Sequence, residues 1–442
     1  MLSTEDTELL CRVGAGTPMG ELMRQYWLPA TYSWELEPDG QPKRVRLLGE
    51  DLIAWRDSNG VAAFTQARCP HRGAGFYFGR NEEAGLRCAY HGWKFDVNGS
   101  CVDMPNEPAA SNFKTKVKIT AYKGADFGGL TWIYMGPRQN HPPGIPQFEW
   151  GLVPEEQRRH YRKAVYECNW MQALEGEMDS THVYFLHSRL AEDAPAKYGT
   201  YHTSLSAKFH LRDADFGMTY AAQRLEPDGK TYWRTTHFLF PSYGMFPGGT
   251  ERIPLSIYVP IDDEHTLHMG IEWHPSQPLP GTRYPSMALP EEPGTLVDGM
   301  GPMKPEKNGK YFADWWPVAG GDTDFLMDLE AKKKNSTGIP SVRLQDAAML
   351  WSMGAIMDRT LEHLGTSDAV IIRVRRKLIA AAKAFRDFGT IPPGVDDPDL
   401  YTMRTCNVSL PADVVDWEEA LGDWLHARTI KYPGGETVPR RN

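Results

Sequence analysis

Two short stretches, Cys69-Pro70-His71-Arg72-Gly73 and Cys88-Ala89-Tyr90-His91-Gly92-Trp93, constrain this 442-residue chain more than any other. Each offers one thiolate and one imidazole at tight spacing. Together they provide two sulfur and two nitrogen ligands, the mixed set of a [2Fe–2S] cluster in which cysteines hold one iron and histidines the other. Neutral imidazoles in place of two thiolates reduce the negative charge on such a cluster and raise its potential. A chain that builds this site moves single electrons. A structural zinc site uses the same ligand types. Zinc fingers, however, pair Cys with Cys and His with His along the sequence, and here each pair is mixed. A glycine follows each histidine (Gly73, Gly92), where it lets the backbone approach closely.

The length allows a large core and two domains. A formal charge of -9 leaves no electrostatic footprint for nucleic acid. The basic run Arg373-Val374-Arg375-Arg376-Lys377 reads as a solvated helix face. No apolar run is long enough to span a membrane, and the acidic start Met1-Leu2-Ser3-Thr4-Glu5-Asp6 is not a signal peptide. Cys11, Cys101, Cys168 and Cys406 are scattered without a disulfide framework, so reduced thiols in a cytoplasmic protein are expected. Gly14–Gly20 and Gly73–Gly79 miss the dinucleotide spacing, so NAD(P)H is not expected to bind this chain.

Thr17-Pro18 predicts a helix start, with a hydroxyl cap and proline in the first turn, running to about Tyr26. Short extended segments follow at 44–48, 52–56 and 61–64, the last two joined by the turn Ser58-Asn59-Gly60. Asn98-Gly99 predicts another hairpin, and Leu130–Met135 a closing apolar strand. The proline-rich stretch from Pro137 to Pro146 places a domain boundary at 145/146. Beyond it the pattern predicts a strand ending at Cys168, a helix from about Trp170, and strands at 203–212, 218–225, 231–240, 252–259 and 266–274. A helical stretch from about Leu344 to Phe385 breaks near Gly365–Asp368, where Thr366 or Ser367 is the expected cap. The expected class is α+β.

The segment Glu175-Gly176-Glu177-Met178-Asp179-Ser180-Thr181-His182, followed by His187, is the second chemical signal. On one helix Glu175, Asp179 and His182 would share a face. His187, five residues past His182, would not, so the helix must end or distort if both rings hold one ion. Two imidazoles and one carboxylate form the facial triad of non-haem Fe(II) oxygenases. Candidates for the carboxylate are Asp324, Asp328, Asp346, Asp358 and Asp368. Asp346 is preferred because it opens an apolar helix, where an unpaired carboxylate is costly to bury. Asp358 is next, and a helix-dipole acid is the alternative role for Asp346.

The cluster motif, continued by Tyr90-His91-Gly92-Trp93-Lys94-Phe95-Asp96, Asn98-Gly99 and Pro105, resembles the Rieske domain of ring-hydroxylating oxygenases. Rieske proteins of cytochrome bc complexes carry a further cysteine in each loop, and these loops have none. The Asp179-x-x-His182 stretch resembles the family's iron motif, and Gln345-Asp346 its C-terminal ligand helix. Gly176 stands where many members carry Asn. Asp358-Arg359-Thr360 and Glu362–Asp368 look closest to the phthalate dioxygenase group. The resemblance implies an N-terminal all-β Rieske domain (1–145, with its N-terminal helix). A catalytic domain (146–442) with a large helix-covered antiparallel sheet would follow. It implies a [2Fe–2S] cluster on Cys69, His71, Cys88 and His91, and a mononuclear Fe(II) on His182, His187 and Asp346. Asp179 would bridge His182 to a cluster histidine, His91, of a neighbouring subunit. It further implies a homotrimer or stacked trimers, a separate flavin and ferredoxin-type reductase, and dioxygen with an aromatic substrate. The implied reaction is cis-dihydroxylation of an aromatic carboxylate. O-demethylation of a methoxylated acid is the alternative, and a Rieske electron carrier without catalytic iron a remote one. Lys208, Arg212, Arg234 and Arg252 are candidate carboxylate clamps, and Phe240–Pro247 a candidate apolar pocket wall.

Overall fold

Strands near the start of the chain find partners far along it. The structure is a computed structural model that describes residues 2–108, 110–187, 207–247, 252–281, 299–304, 310–333 and 337–427. Trp27–Tyr32 pairs antiparallel with Leu130–Tyr134 and bulges between Pro29 and Thr31. That pair opens a six-stranded sheet, continued by Ala121–Phe127, Ala62–Gln66, Glu50–Arg56 and Lys43–Leu47. The turn expected at Ser58–Gly60 joins two of these strands. Asp57 Oδ1 accepts from the amides of Asn59 and Val61, and Gly60 takes a φ of 80°.

A four-stranded sheet, Arg80–Glu82, Gly85–Arg87, Lys94–Phe95 and Cys101–Asp103, carries the cluster loops. It has its own small core of Phe76, Leu86, Trp93 and Phe95 against Ile53 and Trp55. Its Asn98-Gly99 turn forms as expected, with Asp96 Oδ1 accepting from the amides of Asn98 and Ser100.

The third sheet is antiparallel, ordered Arg158–Tyr166, Thr266–Trp273, Ile253–Pro260, Tyr243–Met245, Thr231–Leu239, Gly217–Leu225 and Lys208–Ala214. Asn407–Leu410 also pairs with Thr231–Leu239. The expected strands agree to within a few residues, although 203–206 lie outside the described residues. Four of the strands, Thr231–Leu239, Tyr243–Met245, Ile253–Pro260 and Thr266–Trp273, are buried along their whole length, because helices cover the sheet. Trp170–Met178 packs on Ile253–Pro260, and Ala369–Phe388 on Lys208–Ala214 and Gly217–Leu225.

Helix ends depart from the sequence pattern in specific places. Thr17 caps Pro18–Met23 as expected, but that helix stops at Met23. Both it and Thr4–Cys11, not anticipated, pack on Ala369–Phe388. The expected 344–385 stretch is two helices, Val342–Ser352 and Ala369–Phe388. Ser341 caps the first by accepting from the Leu344 amide. Neither Thr366 nor Ser367 caps the second, and Asp368 instead accepts from the Gly365 amide.

The basic run at 373–377 is not the solvated helix face expected. Arg375 is only 2% exposed, locked between Glu175 and Glu362, while Arg373 and Lys377 meet Asp213 nearer the surface. A charge run says nothing about which of its members faces a buried acid elsewhere in the fold.

Candidate metal centres and substrate cavity

The two cluster loops repeat one local geometry. Cys69 donates its amide to Ala74 and accepts from Gly73, and Cys88 does the same with Trp93 and Gly92. Gly73 and Gly92 have φ of 75° and 77°, so a glycine is required at each turn. A Cβ on Gly92 would also lie 2.6 Å from Pro105 Cγ. The two thiols are buried, and the His71 and His91 ring centroids are 4.4 Å apart. His71 stacks on Trp93 at 4.4 Å, whose indole Nε1 donates to Asn106.

These residues fit the mixed-ligand cluster. His71 Nδ1 is buried with no hydrogen-bond partner, an orphan that a metal bond would satisfy. Burial pushes the Cys69 thiol up to about 11, so a cation is needed to hold it as thiolate. Among the described residues, no three ligand atoms of this set lie within 4.8 Å of one another. Ligands of one tetrahedral zinc, bonded at about 2.0–2.3 Å, sit closer than that.

One such close group does occur: His182, His187 and Asp346, with all three ligand atoms within 4.8 Å. Its construction differs from the expected single helix face. Asn169 caps Trp170–Met178 by accepting from the Met171 amide, and the helix ends at Asp179, whose backbone is extended. Asp179 Oδ1 then accepts from the Thr181 amide at 2.7 Å and its hydroxyl at 2.6 Å, turning the chain. A short helix, His182–Leu186, follows, and His187 ends it. The break lets both rings approach one point, 5.1 Å apart and nearly perpendicular. Glu175 is carried away from it into the pairs with Arg359 and Arg375.

Asp346 enters from Val342–Ser352. Its Oδ1 is 3.0 Å from His187 Nε2 and 3.7 Å from His182 Nε2, while Arg343 Nη1 meets its Oδ2 at 3.3 Å. Neighbouring ligands of an ion with bonds near ~2.1 Å sit about 3 Å apart. Burial pushes the Asp346 carboxyl up, but His187, His182 and Arg343 outweigh it and hold it far below the carboxylate range. Asp179 Oδ2 lies 3.7 Å from His182 Nδ1. Burial raises that carboxyl too, yet the His182 ring and Thr181 hold it at about 2. Burial lowers His182, and Asp179 and Asp346 more than reverse this. His187 Nδ1 is 2.7 Å from Gln345 Oε1.

The remaining acids lie elsewhere. Asp328 caps a short helix, Asp358 binds Thr360 at the surface, and Asp368 holds Gly365. Asp324 sits in a kinked turn with a φ of 47°.

A cavity of about 560 Å³ opens beside the three residues. Of the four cations named from sequence, Arg234 lines it. Arg212 pairs with Glu418, Arg252 with Glu272, and Lys208 is exposed. Arg343, missed from sequence, also lines it. Its position one turn before Asp346 on a helix was the available signal. From Phe240–Pro247 only Phe246 reaches the cavity, because Phe240, Tyr243 and Met245 are core. Gly176 lines the wall next to Leu350.

Residues 26–119 match the Rieske [2Fe-2S] domain, and residues 133–420 the family described as LigXa C-terminal domain like. The chain is 38% identical to the 3-chlorobenzoate-3,4-dioxygenase oxygenase subunit of Comamonas testosteroni, over 95% of this chain and 98% of that one. It is 38% identical to the phthalate 4,5-dioxygenase oxygenase subunit of Pseudomonas putida, over 95% and 94%. It is 32% identical to the 5,5'-dehydrodivanillate O-demethylase oxygenase subunit of Sphingobium sp. (strain NBRC 103272 / SYK-6), over 100% and 93%. Among solved structures, Pseudomonas putida CBB5 NdmA with caffeine shares the fold with a TM-score of 0.57 at 17% identity, covering 86% of this chain and 96% of that one. Dicamba monooxygenase bound to dicamba does so with a TM-score of 0.54 at 18%, covering 82% and 98%. The α+β class, with a Rieske domain ahead of a large antiparallel sheet, is thus borne out. No helix among the described residues is long and apolar enough to cross a membrane. The chain belongs to the Rieske oxygenases, as an α-subunit that carries a [2Fe–2S] cluster and a mononuclear iron and serves as the oxygenase component of a multi-component system.

Proposed function

We propose that this oxygenase cis-dihydroxylates an aromatic carboxylate of the phthalate kind, with electrons from a separate NAD(P)H-dependent flavin and ferredoxin-type reductase. The observation that carries this reading is the cavity in which His182, His187 and Asp346 share walls with Arg234 and Arg343. Cys69, His71, Cys88 and His91 hold the cluster, and His182, His187 and Asp346 the iron as Fe(II). Bound there, the cluster supplies single electrons and the iron activates dioxygen. The protein residues do the rest. Arg234 and Arg343 offer planar forks to a carboxylate. Val183, Phe246, Leu350 and Met353 give the ring an apolar wall. Asp179 orients His182 and carries the negative charge that a histidine of a neighbouring subunit would meet.

The reading includes a Rieske domain at 1–145 and a catalytic domain at 146–442. It also includes a homotrimer or stacked trimers, since head-to-tail packing brings His91 of one copy to Asp179 of the next. The exposed Tyr90 beside His91 and the part-exposed Asp179 leave both reachable. A cytoplasmic site is supported by six cysteines free of disulfides.

O-demethylation of a methoxylated acid is the second reading, favoured by the full-length similarity to the dehydrodivanillate demethylase subunit. Oxygen uptake with a panel of aromatic acids and a surrogate reductase decides between them. A cis-dihydrodiol product supports the first, formaldehyde release the second. Substrate-independent inactivity in protein holding both iron centres would overturn the carboxylate assignment. Two irons per chain instead of three would point to an electron carrier.

A further inference from the structure

We propose that Gln345 is a positioning residue that fixes the tautomer and ring plane of His187, and so decides which ring nitrogen faces the iron site. The inference rests on the ligand assignment above. Gln345 is 0% exposed, so both ends of its amide must be satisfied within the protein. The two ends have the same shape, and only their partners tell them apart. One end lies 3.1 Å from the Ile339 carbonyl oxygen. A carbonyl oxygen only accepts, so that end is the NH₂ group. The other end is therefore Oε1, and it lies 2.7 Å from His187 Nδ1. An amide oxygen also only accepts, so Nδ1 carries a proton. That leaves Nε2 as the coordinating nitrogen, and Nε2 is the atom 3.0 Å from Asp346 Oδ1. Two lone-pair donors at that separation need a cation beside them.

Gln345 and Asp346 are adjacent on one helix, so a single element supplies a ligand and the group that aims another ligand. The two rings are backed unequally. His182 Nδ1 faces the Asp179 carboxylate, whereas His187 Nδ1 faces a neutral amide. The amide sets geometry without adding negative charge at the iron site. Groups that hold the far nitrogen of a metal-bound histidine typically change metal affinity by 10- to 100-fold.

The test uses the full chain with its cluster intact and the mononuclear metal removed. Co(II) binding is followed by its d–d absorption. Q345M keeps length and volume but offers no acceptor of comparable strength. Q345E keeps the acceptor. Both variants lose the donor to Ile339, so they differ chiefly in what His187 meets. The expected result is about 10- to 100-fold weaker Co(II) binding in Q345M, with a shifted d–d band. Q345E should bind within a few-fold of the parent. Equal binding by Q345M and the parent, or equal weakening in both variants, would overturn the proposal. H187A separates the premise from the inference: undiminished Co(II) binding there would remove His187 from the ligand set. Should Q345E not fold, ¹⁵N-histidine NMR of the parent with Zn(II) in the mononuclear site, where the metal occupies one nitrogen of His187, decides. A protonated His187 Nδ1 supports the proposal and a bare one sinks it.

Discussion

Arg375→Met should unfold the catalytic half far more readily than Arg373→Met, although the two arginines are neighbours in one charge run. Glu175, Glu362, Arg359 and Arg375 form a buried cage in which two negative charges balance two positive ones. Arg375 gives Glu362 two bonds, at 2.5 and 2.7 Å, and gives Glu175 one at 2.6 Å. Its loss leaves one net negative charge among buried groups and takes both of these bonds from Glu362. Glu175 keeps Arg359, at 3.0 and 3.3 Å. Removing one partner of a buried ion pair costs about 3–5 kcal/mol. For a unit of this size, each kcal/mol lowers Tm by about 2 °C, so a fall of roughly 6–10 °C is expected. Arg373, about half exposed and paired with Asp213, should cost about 0–1 kcal/mol. Scanning calorimetry at neutral pH gives both values. Because Glu175 sits one turn before Asp179, Arg375→Met should also lower mononuclear iron occupancy. Adding Glu362→Leu removes the stranded carboxylate and should recover part of the loss. Melting points for Arg375→Met and Arg373→Met within 2 °C of each other would refute the reasoning.

Gly92→Ala should prevent cluster assembly, since the new methyl needs a left-handed backbone and collides with Pro105; visible absorption of the purified variant reads this directly. His182→Ala should lower iron from about three to about two per chain with the cluster spectrum unchanged. A drop to zero would mean that the two centres are not independent. Acid should destabilise the protein through His160 and His237. Burial pushes both to about 4, against the opposing pull of the Gly128 and Arg404 carbonyls. The unfolded chain, with histidines near 6.5, binds more protons between pH 4 and 6.5. Stability is therefore complete above that window and lost as pH falls through it, by up to about 3 kcal/mol for each histidine. A Tm that stays flat from pH 7 to pH 5 would exclude this.

Local chemistry was legible wherever one short segment holds all the information. The loops that carry Cys69, His71, Cys88 and His91 each close on one left-handed glycine, Gly73 or Gly92. The turns at Asp57–Gly60 and Asp96–Gly99 close on their own side chains. Strands such as Gly217–Leu225 and Thr266–Trp273 show in their residue pattern because they are bounded by turn residues. A residue whose partner is distant in sequence carries no such local sign. Glu175 read as one of a row of acids on an iron-facing helix, yet its nearest charges come from residues 359 and 375. Arg234 could not be told from Arg212 or Arg252, because which side of a strand faces the cavity depends on the whole sheet.

Candidate ligands are thus legible in the chain, since donor type and close spacing are covalent properties of a sequence. Ligand convergence is not. Asp346 lies 159 residues beyond His187, and only packing of Val342–Ser352 beside the broken helix at Asp179 brings its carboxylate to 3.0 Å from the ring. That packing also turned Gln345 toward His187 and Arg343 toward the cavity. Long-range placement is set by the sum of many weak apolar contacts and has no local signature for a sequence to display.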